Sequence, residues 1–288
     1  MLSKKACKLL LPVSLCVLVA ALSLEQARKE KVGVFAGEYW PKAVVTAASD
    51  NHFHVLVDFI KHFTGVNPAA IPLLVYSLGI DRDDLVWLRN NFPWAHIKEF
   101  DFTAYPDHFD INNARGEYAW KPVIVKEVLD SFTSSVLWLD SGDRIADESA
   151  LEDTFVRIHE NGYVTTRTSG STNDWVHPGT LSYLNANSME FRHGMPMCNG
   201  AIVGFDKGHS NVYTSLVTPW ALCANIRQCI APEGSSRINH RQDQAVLTVL
   251  IHLTGRACDL SEGSWNPSGM VPGPLRIQLH QDNSAKIS

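Results

Sequence analysis

Several motifs that define large enzyme and binding classes are missing from this sequence of 288 residues. It contains no GxGxxG segment and no P-loop, which argues against dinucleotide binding and against ATP-loop chemistry. It contains no Gly-x-Ser-x-Gly turn either, so catalysis by a Ser/His/Asp triad finds no support. Charges of both signs are mixed along the chain at a net charge of -5, so we expect no nucleic-acid partner. No repeat with a period of about 20 to 50 residues indicates a solenoid or a propeller.

Cysteine is scarce, and its spacing argues against a zinc site. Outside the first 24 residues the chain has only Cys198, Cys223, Cys229 and Cys258, and none of them has CxxC spacing. An even number of cysteines in an oxidising compartment favours disulfides, and Cys223 and Cys229 are close enough to close a small loop. Four cysteines allow three connectivities, so the pairing stays open.

The N-terminal segment indicates entry into the secretory pathway. Lys4, Lys5 and Lys8 precede an apolar run over residues 9–24. This run has about 16 residues, slightly fewer than the ~20 that span an average bilayer. Such a segment is typical of a signal anchor in a thin membrane of the early secretory pathway, or of a cleaved signal peptide. Both interpretations stay open.

This segment divides the chain into three expected parts. Residues 1–24 are the anchor or signal peptide, residues 25–39 a charged stem, and residues 40–288 one luminal domain. With an anchor, the protein is expected in the Golgi membrane as a single-pass type II protein, and with a cleaved signal it is secreted. No Asn-x-Ser/Thr acceptor has a permitted middle residue, so glycosylation sites give no independent support.

Alternating strand-like and helix-like segments predict a mostly parallel α/β sheet. Short apolar, β-branched runs predict buried strands at residues 43–48, 73–78, 96–100 and 135–139. Amphipathic helices are predicted from Phe53, over residues 83–91 and from Pro122, with Ser49, Asp50 and Asn51 as candidate N-caps of the first. Strands and helices that alternate at this spacing form βαβ units.

The acidic turn after the fourth predicted strand is the most informative motif. Asp140-Ser141-Gly142-Asp143 places two carboxylates at the carboxyl end of a buried strand, where ligands bind in such sheets. Oxygen ligands of this kind suit Mn²⁺ or Mg²⁺, which would offset the charge on a leaving nucleoside diphosphate. The alternative is an ordinary strand-to-loop turn, in which Asp and Gly are common.

Four segments occur in an order that resembles a known group of proteins. These segments are residues 45–53 (VTAASDNHF), 75–79 (VYSLG), 118–122 (YAWKP) and 137–141 (LWLDS). They look like an uncharacterised family of animal and protist membrane-anchored proteins related to the GT-A nucleotide-sugar glycosyltransferases. More distantly, the layout resembles the glycogenin-like and galactosyltransferase-like retaining enzymes. The resemblance implies a single GT-A-like, Rossmann-type domain with a mostly parallel central sheet flanked by helices.

The same resemblance implies roles for individual residues that bind the donor. The expected nucleotide-sugar-binding residues are Ser49, Asp50, Asn51, Lys121, Asn199 and Gly200. Asp243 and Gln244 match the Asp-Gln pair that lines the sugar pocket and are the expected catalytic residues. Asn199 and Gly200 are adjacent here, whereas the family spaces this pair by one residue.

The expected metal ligands are Asp140, Asp143 and His280, which would hold Mn²⁺ or Mg²⁺. Gly142 stands where the related enzymes have their second acid, and Asp143 comes one position late. Some GT-A enzymes work without a metal, so the departure leaves metal dependence open.

Several of these residues also have structural interpretations. Asp243 suits a helix cap, because a carboxylate there satisfies free backbone amides. His280 is one of 12 histidines and could simply be exposed. Lys121 could bind phosphate as a point charge or cover the start of its helix. Trp120 and Trp138 suit a core better than a sugar platform, since large aromatics dominate buried area.

These observations predict a glycosyltransferase that moves a sugar from a nucleotide-diphosphate donor to a luminal glycan or glycoprotein acceptor. Catalysis would rest on electrostatic stabilisation of the leaving group and on positioning. No catalytic base is assigned, so inverting and retaining mechanisms both stay open. One alternative is a degenerate luminal protein that binds glycans or nucleotides without turnover. Another is a metal-dependent phosphoester hydrolase that uses the same acidic turn, since fold does not fix function.

Overall fold

A computed structural model of the chain describes residues 39–186, 188–258 and 275–278, without the side chains of Met189, Arg192 and Gln278. The targeting segment (residues 1–24), residues 25–38 of the stem and His280 lie outside these described residues. The predictions of an anchor or signal peptide and of a Golgi location therefore stay predictions. No helix in the described part of the chain is long and apolar enough to cross a membrane.

Eight strands build two sheets. They are β1 (Trp40–Ala48), β2 (Leu73–Ser77), β3 (His96–Glu99), β4 (Thr133–Leu139), β5 (Arg144–Ile145), β6 (Tyr163–Ser171), β7 (Pro196–Asp206) and β8 (Ile277–Gln278). The main sheet has six strands in the order β3-β2-β1-β4-β7-β6, and β5 pairs with β8. The strands β1 to β4 are parallel to one another, whereas β7 runs antiparallel to both β4 and β6.

Helices connect the strands and flank the sheet. They are α1 (Phe53–Val66), α2 (Arg82–Asn91), α3 (Trp120–Ser131), α4 (Glu148–Asn161), α5 (Thr172–Trp175), α6 (Pro178–Tyr183), α7 (Met189–His193), α8 (Ser210–Val212), α9 (Thr218–Ala224), α10 (Arg227–Ile230) and α11 (Gln242–Leu253). Short 3₁₀ turns lie at Asp50–His52, Phe102–Ala104 and Asp107–Phe109, a further tight turn at Ala114–Tyr118, and a π-helical turn at Tyr213–Val217.

The central strands are buried along most of their length, as their sequence predicts. Val44 of β1, Leu73 of β2 and Leu137 of β4 are fully buried. Strands covered on both faces read as continuous apolar runs, which explains why β1, β2 and β4 could be found from the sequence. Each of the four parallel strands lies within three residues of its predicted bounds. The mostly parallel α/β fold class is therefore confirmed.

The predicted capping of α1 is wrong. The helix begins at Phe53, after the 3₁₀ turn Asp50–His52, and no side chain caps it or that turn. Oδ1 of Asp50 instead accepts a hydrogen bond from the backbone N–H of Asp81 at 2.9 Å. The carboxylate thus ties the loop after β1 to the loop after β2. This contact depends on strand order, which a local capping pattern cannot show.

Two disulfide bonds stabilise the C-terminal half. Cys198 pairs with Cys258 across a sequence separation of 60, and Cys223 pairs with Cys229 across a separation of 6. The Nε2 atom of His252 lies 2.8 Å from the backbone oxygen of Pro196, beside the first pair. Among the described residues, Cys198, His252 and Cys258 form a group of potential metal ligands. Because the two sulfurs are bonded to each other, this group offers no thiolate to a metal ion.

We expect the two disulfides to contribute unequally to stability. Replacing Cys198 and Cys258 together by alanine should lower the free energy of unfolding by about 4 kcal/mol, because the bond closes a long loop in the unfolded chain. The matched pair of substitutions, Cys223→Ala with Cys229→Ala, should cost only about 2 kcal/mol. Urea denaturation of both variants measures the difference. An equal loss, or a larger loss for the short loop, would contradict this expectation.

Candidate active site

The candidate site lies where the strand order of the main sheet reverses. The chain leaves β1 toward β2 and β3, then returns to β4 on the other side of β1. β1 and β4 are parallel neighbours, with Val45 opposite Trp138, so both end at the same edge of the sheet. The loop Ser49-Asp50-Asn51 follows β1, and Asp140 follows β4. In open α/β sheets the crevice at such a point is where ligands bind.

A buried lysine, itself a predicted site residue, joins three others. The Nζ atom of Lys121 donates hydrogen bonds to Oδ1 of Asp140 at 2.9 Å and to the backbone oxygen of Gly200 at 2.8 Å. It also lies 3.4 Å from Oδ2 of Asp243. We call Lys121, Asp140, Gly200 and Asp243 the lysine cluster. Four elements therefore meet at one ammonium group. They are the first turn of α3, the end of β4, the part of β7 around Gly200, and the start of α11.

The electrostatics of the lysine cluster favour its ionised form. Burial alone lowers the pKa of Lys121, but the carboxylates of Asp140 and Asp243 outweigh burial and raise this pKa above its usual value. Burial raises the pKa of Asp243, an effect that Lys121 opposes and Asp140 reinforces. A buried ion pair is stable only if hydrogen bonds replace the lost water, and the contacts of Lys121 supply them.

One carboxylate oxygen of Asp140 is held by hydrogen bonds, and the other is open to a ligand. Nε1 of Trp138 donates to Oδ1 of Asp140 at 2.8 Å, the same oxygen that Lys121 contacts. The ring of Trp138 also lies under the ammonium, 5.3 Å from Nζ of Lys121. The side chain of Asp140 is 33% exposed, and within the described part of the chain its Oδ2 accepts no hydrogen bond. One oxygen is therefore available to a ligand.

The aromatic residues near the cluster belong to the core, as the structural interpretation expected. Trp138 is fully buried and Trp120 nearly so. Asp243 is not the N-cap of α11, because Arg241 holds that position. Direct phosphate binding by Lys121 stays a prediction, although its ammonium already contacts three protein oxygens.

The start of β7 lies against the cluster. The backbone N–H of Asp140 donates to the oxygen of Ala201 at 3.0 Å, and Oδ1 of Asn199 accepts from the N–H of Ala201 at 2.8 Å. The buried Asn199 side chain thus shapes the backbone here. A Cβ on Gly200 would lie 3.0 Å from Cβ of Gln244. A side chain here would require Gln244 or its neighbours to shift, so glycine favours the close approach of α11 that places Gln244 beside the cluster.

Asp143 is the last residue of the acidic turn. Its backbone N–H donates to the oxygen of Asp140 at 2.9 Å, and its side chain is fully buried. Nη1 of Arg144 donates to the backbone oxygens of Ser141 at 2.8 Å and Asp143 at 2.7 Å. β8 places Gln278 opposite Arg144, two positions before His280, which lies outside the described residues. The roles of Asp143 and His280 as metal ligands stay predictions.

The donor set around Asp140 fits a divalent ion only if the substrate contributes ligands. The one exposed carboxylate among the described cluster residues belongs to Asp140, and its Oδ2 is available. Mg²⁺ and similar ions are commonly held by one or two carboxylates together with substrate phosphates, so this donor set is sufficient in the presence of a diphosphate.

A left-handed turn before α3 is a feature that the sequence did not predict. All residues of Ala114–Tyr118 have positive φ, from 47 to 62°. Such a conformation costs about 1–2 kcal/mol for each non-glycine residue. A Cβ on Gly116 would lie 2.4 Å from the backbone oxygen of Phe109, and Nε2 of Gln242 donates to Oε2 of Glu117 at 3.1 Å. Tertiary contacts therefore hold this strained turn against the start of α11, and Gly116 was its one sequence signal.

His240, in the loop before α11, is buried as a neutral ring. Its Nδ1 accepts from the backbone N–H of His177 at 3.1 Å, and its Nε2 lies 2.8 Å from the oxygen of Ile230. Burial, and to a lesser extent the charge of His177, lower the pKa of His240 to about 4. The unfolded chain, with an ordinary pKa near 6.5, therefore takes up this proton first on acidification.

We expect a stability loss in acid that depends on His240. Because its pKa is lower in the folded state, its contribution is present above about pH 6.5 and disappears as the pH falls toward 4, a change of about 3 kcal/mol. His240→Asn keeps an acceptor for the His177 N–H and should flatten this dependence. Urea denaturation at several pH values tests it. Parallel pH profiles for wild type and variant would contradict the assignment.

Residues 24–126 match a family described as a protein of unknown function (DUF1647). No curated protein matches the chain. Membership of the membrane-anchored family expected from the sequence motifs stays a prediction.

Solved glycosyltransferases share the fold. Core-mannan synthase A from Aspergillus fumigatus in its Mn/GDP form is 8% identical at a TM-score of 0.50, over 76% of this chain and 71% of that chain. A mannosyltransferase from S. cerevisiae is 9% identical at 0.49, over 81% and 75%. Mouse xyloside xylosyltransferase 1 is 12% identical at 0.47, over 78% and 87%. The first likeness confirms the expected GT-A type of fold, and at this identity it shows the fold alone.

Proposed function

We propose that this protein is a glycosyltransferase that transfers a sugar from a nucleotide-diphosphate donor to a luminal glycan or glycoprotein. The observation that carries the proposal is the lysine cluster at the switch point of a GT-A type fold. Two of the carboxylates that the sequence assigns to the site, Asp140 and Asp243, converge there on Lys121. Buried, coupled ionisable groups in a crevice are typical of functional sites.

The donor would lie across the carboxyl ends of β1 and β4. Ser49, Asp50 and Asn51 form the loop after β1 and would contact the nucleoside. The diphosphate would lie over Asp140, and the sugar beside Asp243 and Gln244, where Gly200 leaves room for close approach. Nucleoside, diphosphate and sugar would thus follow the strand order β1, β4, β7. The nucleoside would lie at β1 and the reacting carbon of the sugar toward β7.

The charge of the lysine cluster bears on the cofactor. Two carboxylates and one ammonium leave the lysine cluster itself with a net charge of about -1, so a divalent cation at Asp140 would favour binding of an anionic diphosphate there. Asp140, with Asp143 and His280 as further candidates, would hold Mn²⁺ or Mg²⁺. When bound, such an ion neutralises charge on the leaving diphosphate. The Mn/GDP form of the similar core-mannan synthase supports this choice.

Lys121 acts as a positioning residue. Its three contacts hold Asp140 and Asp243 in one arrangement before substrate arrives, so no reorganisation is needed during the reaction. Catalysis then consists of positioning donor and acceptor and excluding water.

A panel of nucleotide sugars tests the proposal. The full chain, expressed through a secretory route so that both disulfides form, is assayed for nucleoside diphosphate release with Mn²⁺ and with EDTA. We expect one donor to be turned over, and loss of turnover in EDTA would establish the metal requirement. Simple phosphate esters are included, because their hydrolysis would support the hydrolase alternative instead.

Direct binding of nucleoside diphosphates separates the remaining outcomes. Folded protein that binds no nucleotide and turns over no donor would contradict the transferase and favour the binding protein. Nucleotide binding without turnover would support the donor site and indicate that the acceptor is missing from the assay.

A further inference from the structure

Two arginines stack on aromatic rings beside the lysine cluster. The Cζ atom of Arg237 lies 5.0 Å from the ring centroid of Tyr118, and that of Arg241 lies 3.9 Å from the ring centroid of Trp175. Tyr118 ends the left-handed turn, where its hydroxyl also accepts from Nη1 of Arg115 at 2.8 Å. Cation–π stacking orients a guanidinium while leaving its N–H groups available to a ligand.

These arginines add positive charge beside the lysine cluster, where burial raises the pKa of the Asp243 carboxyl and the charge of Arg237, like that of Lys121, opposes this rise. Neither Arg237 nor Arg241 forms an ion pair with a described carboxylate. Glu117, on the same turn, accepts from Gln242, and Asp243 pairs with Lys121. Burial, and next the charge of Arg237, lower the pKa of Arg241, which shows that the two cations lie near each other. Two neighbouring guanidinium groups that form no short ion pair with a described carboxylate are an attractive site for an anion.

The arginines lie on the side of the cluster away from the nucleotide loop. Along the edge of the sheet, the order β1, β4, β7, β6 places the nucleotide loop first, then Asp140, then Gly200. Trp175 belongs to α5, which follows β6, and its backbone oxygen accepts from the N–H of Arg241 at 3.1 Å. A donor that extends from the loop after β1 to Asp243 would not reach Trp175 and Arg241. With the donor placed as proposed, Arg241 would lie on the acceptor side of Asp243.

A cavity of about 560 Å³ is lined by residues of α5 and α6 and by Asn239, which are close in sequence to Trp175 and the two arginines. Its polar lining includes Asn173, Asp174, His177 and Asn239. Asp174 precedes Trp175, and Asn239 lies between the two arginines in sequence. The two chain segments that line the cavity therefore also carry Trp175 and the arginines. Amide, imidazole and carboxylate groups suit sugar hydroxyls, and the volume lies within the usual range for small-molecule sites.

We propose that Arg237 and Arg241, together with this cavity, bind an acidic oligosaccharide whose carboxylate or sulfate groups contact the two guanidinium groups. The description of this ligand as the acceptor rests on the proposed transferase function. The binding itself does not.

Three hexasaccharides of different charge test the inference on the full chain by calorimetry. They are a chondroitin hexasaccharide with carboxylates only, its sulfated counterpart, and neutral maltohexaose. We expect the acidic probes to bind at least tenfold more tightly than the neutral one, and the pair of carboxylate and sulfate probes distinguishes the two sources of charge. Arg237→Gln with Arg241→Gln should weaken acidic binding by at least tenfold, while Arg237→Lys with Arg241→Lys should lose less.

A matched control removes two positive charges elsewhere. Lys61 of α1 and Arg82 of α2 are exposed and lie outside the site, so Lys61→Gln with Arg82→Gln should leave hexasaccharide binding unchanged. Thermal unfolding of each variant confirms that it is folded. Equal losses in both double variants, or equal binding of neutral and acidic probes, would overturn the inference.

Binding of UDP and GDP separates this site from the donor site. We expect both nucleotides to bind the arginine variant as they bind the wild type. If the variant loses nucleotide binding and keeps hexasaccharide binding, the arginines serve the donor phosphates and the inference is wrong. If no donor is ever turned over but acidic binding still depends on the arginines, the transferase proposal fails and this inference stands.

Discussion

Asp140→Asn is expected to lower nucleoside diphosphate release by about a hundredfold to a thousandfold, the usual effect of removing one preorganised electrostatic group from an active site. Asparagine keeps an oxygen that can accept from Trp138 and Lys121, so the geometry at Oδ1 should survive. The substitution removes only the negative charge of the carboxylate that would contact the ligand. The measurement is turnover of the identified donor with saturating Mn²⁺.

Asp206→Asn is the matched control for this prediction. Asp206 is also a buried aspartate, but it ends β7 at the opposite edge of the sheet, across from Ser135 of β4. This substitution should leave turnover within about twofold of wild type, since surface or remote changes rarely exceed ~0.5 kcal/mol. Equal losses in the two variants would indicate a general effect on folding rather than a role for Asp140.

Lys121→Met should destabilise the fold more than any other single substitution considered. Methionine fills a similar volume without charge, which leaves the Asp243 carboxylate buried at 5% exposure without its cation. Removing one partner of a buried ion pair costs about 3–5 kcal/mol. For a domain of this size that corresponds to a drop in Tm of roughly 6–20 °C. The deficit should shrink as the pH falls, because protonation of Asp243 removes the uncompensated charge.

A double variant distinguishes electrostatics from packing. Lys121→Met with Asp243→Asn removes both buried charges and should be more stable than Lys121→Met alone. If the double variant is instead less stable, the loss in the single variant comes from packing around the lysine stem. Both variants should also lose turnover, because Asp140 and Asp243 are no longer held in place.

The fold was largely predictable because its signals are local. Strands β1, β2 and β4 are buried along most of their length, so each appears as a short apolar run, whereas only Ile97 is buried among the four residues of β3. The sequence left β6 unpredicted, since Tyr163–Ser171 alternates threonine with exposed residues and its pairing with β7 is interrupted by register shifts. The helices α5 to α7 were also missed, because none has more than six residues and their periodicity is too short to detect.

The candidate site was predictable as a set of residues but not as a set of contacts. Asp140, Gly200 and Asp243 were chosen from motifs, and the structure brings them together around Lys121. The sequence suggested that this lysine binds phosphate or covers a helix, whereas it is buried between two carboxylates. Its contacts with Asp140 and Gly200 span sequence separations of 19 and 79, which no local pattern encodes.

Sequence alone therefore determined the four parallel strands, the helices α1 to α3, and the acidic turn at the end of a buried strand, since these properties depend on burial and periodicity within a few residues. Tertiary structure alone decided that Asp50 ties two loops together, that Lys121 pairs with two distant acids, and that Arg237 and Arg241 stack beside them. The physical reason is that strand order and helix packing bring together groups far apart in the chain. Their charges act only at those short distances.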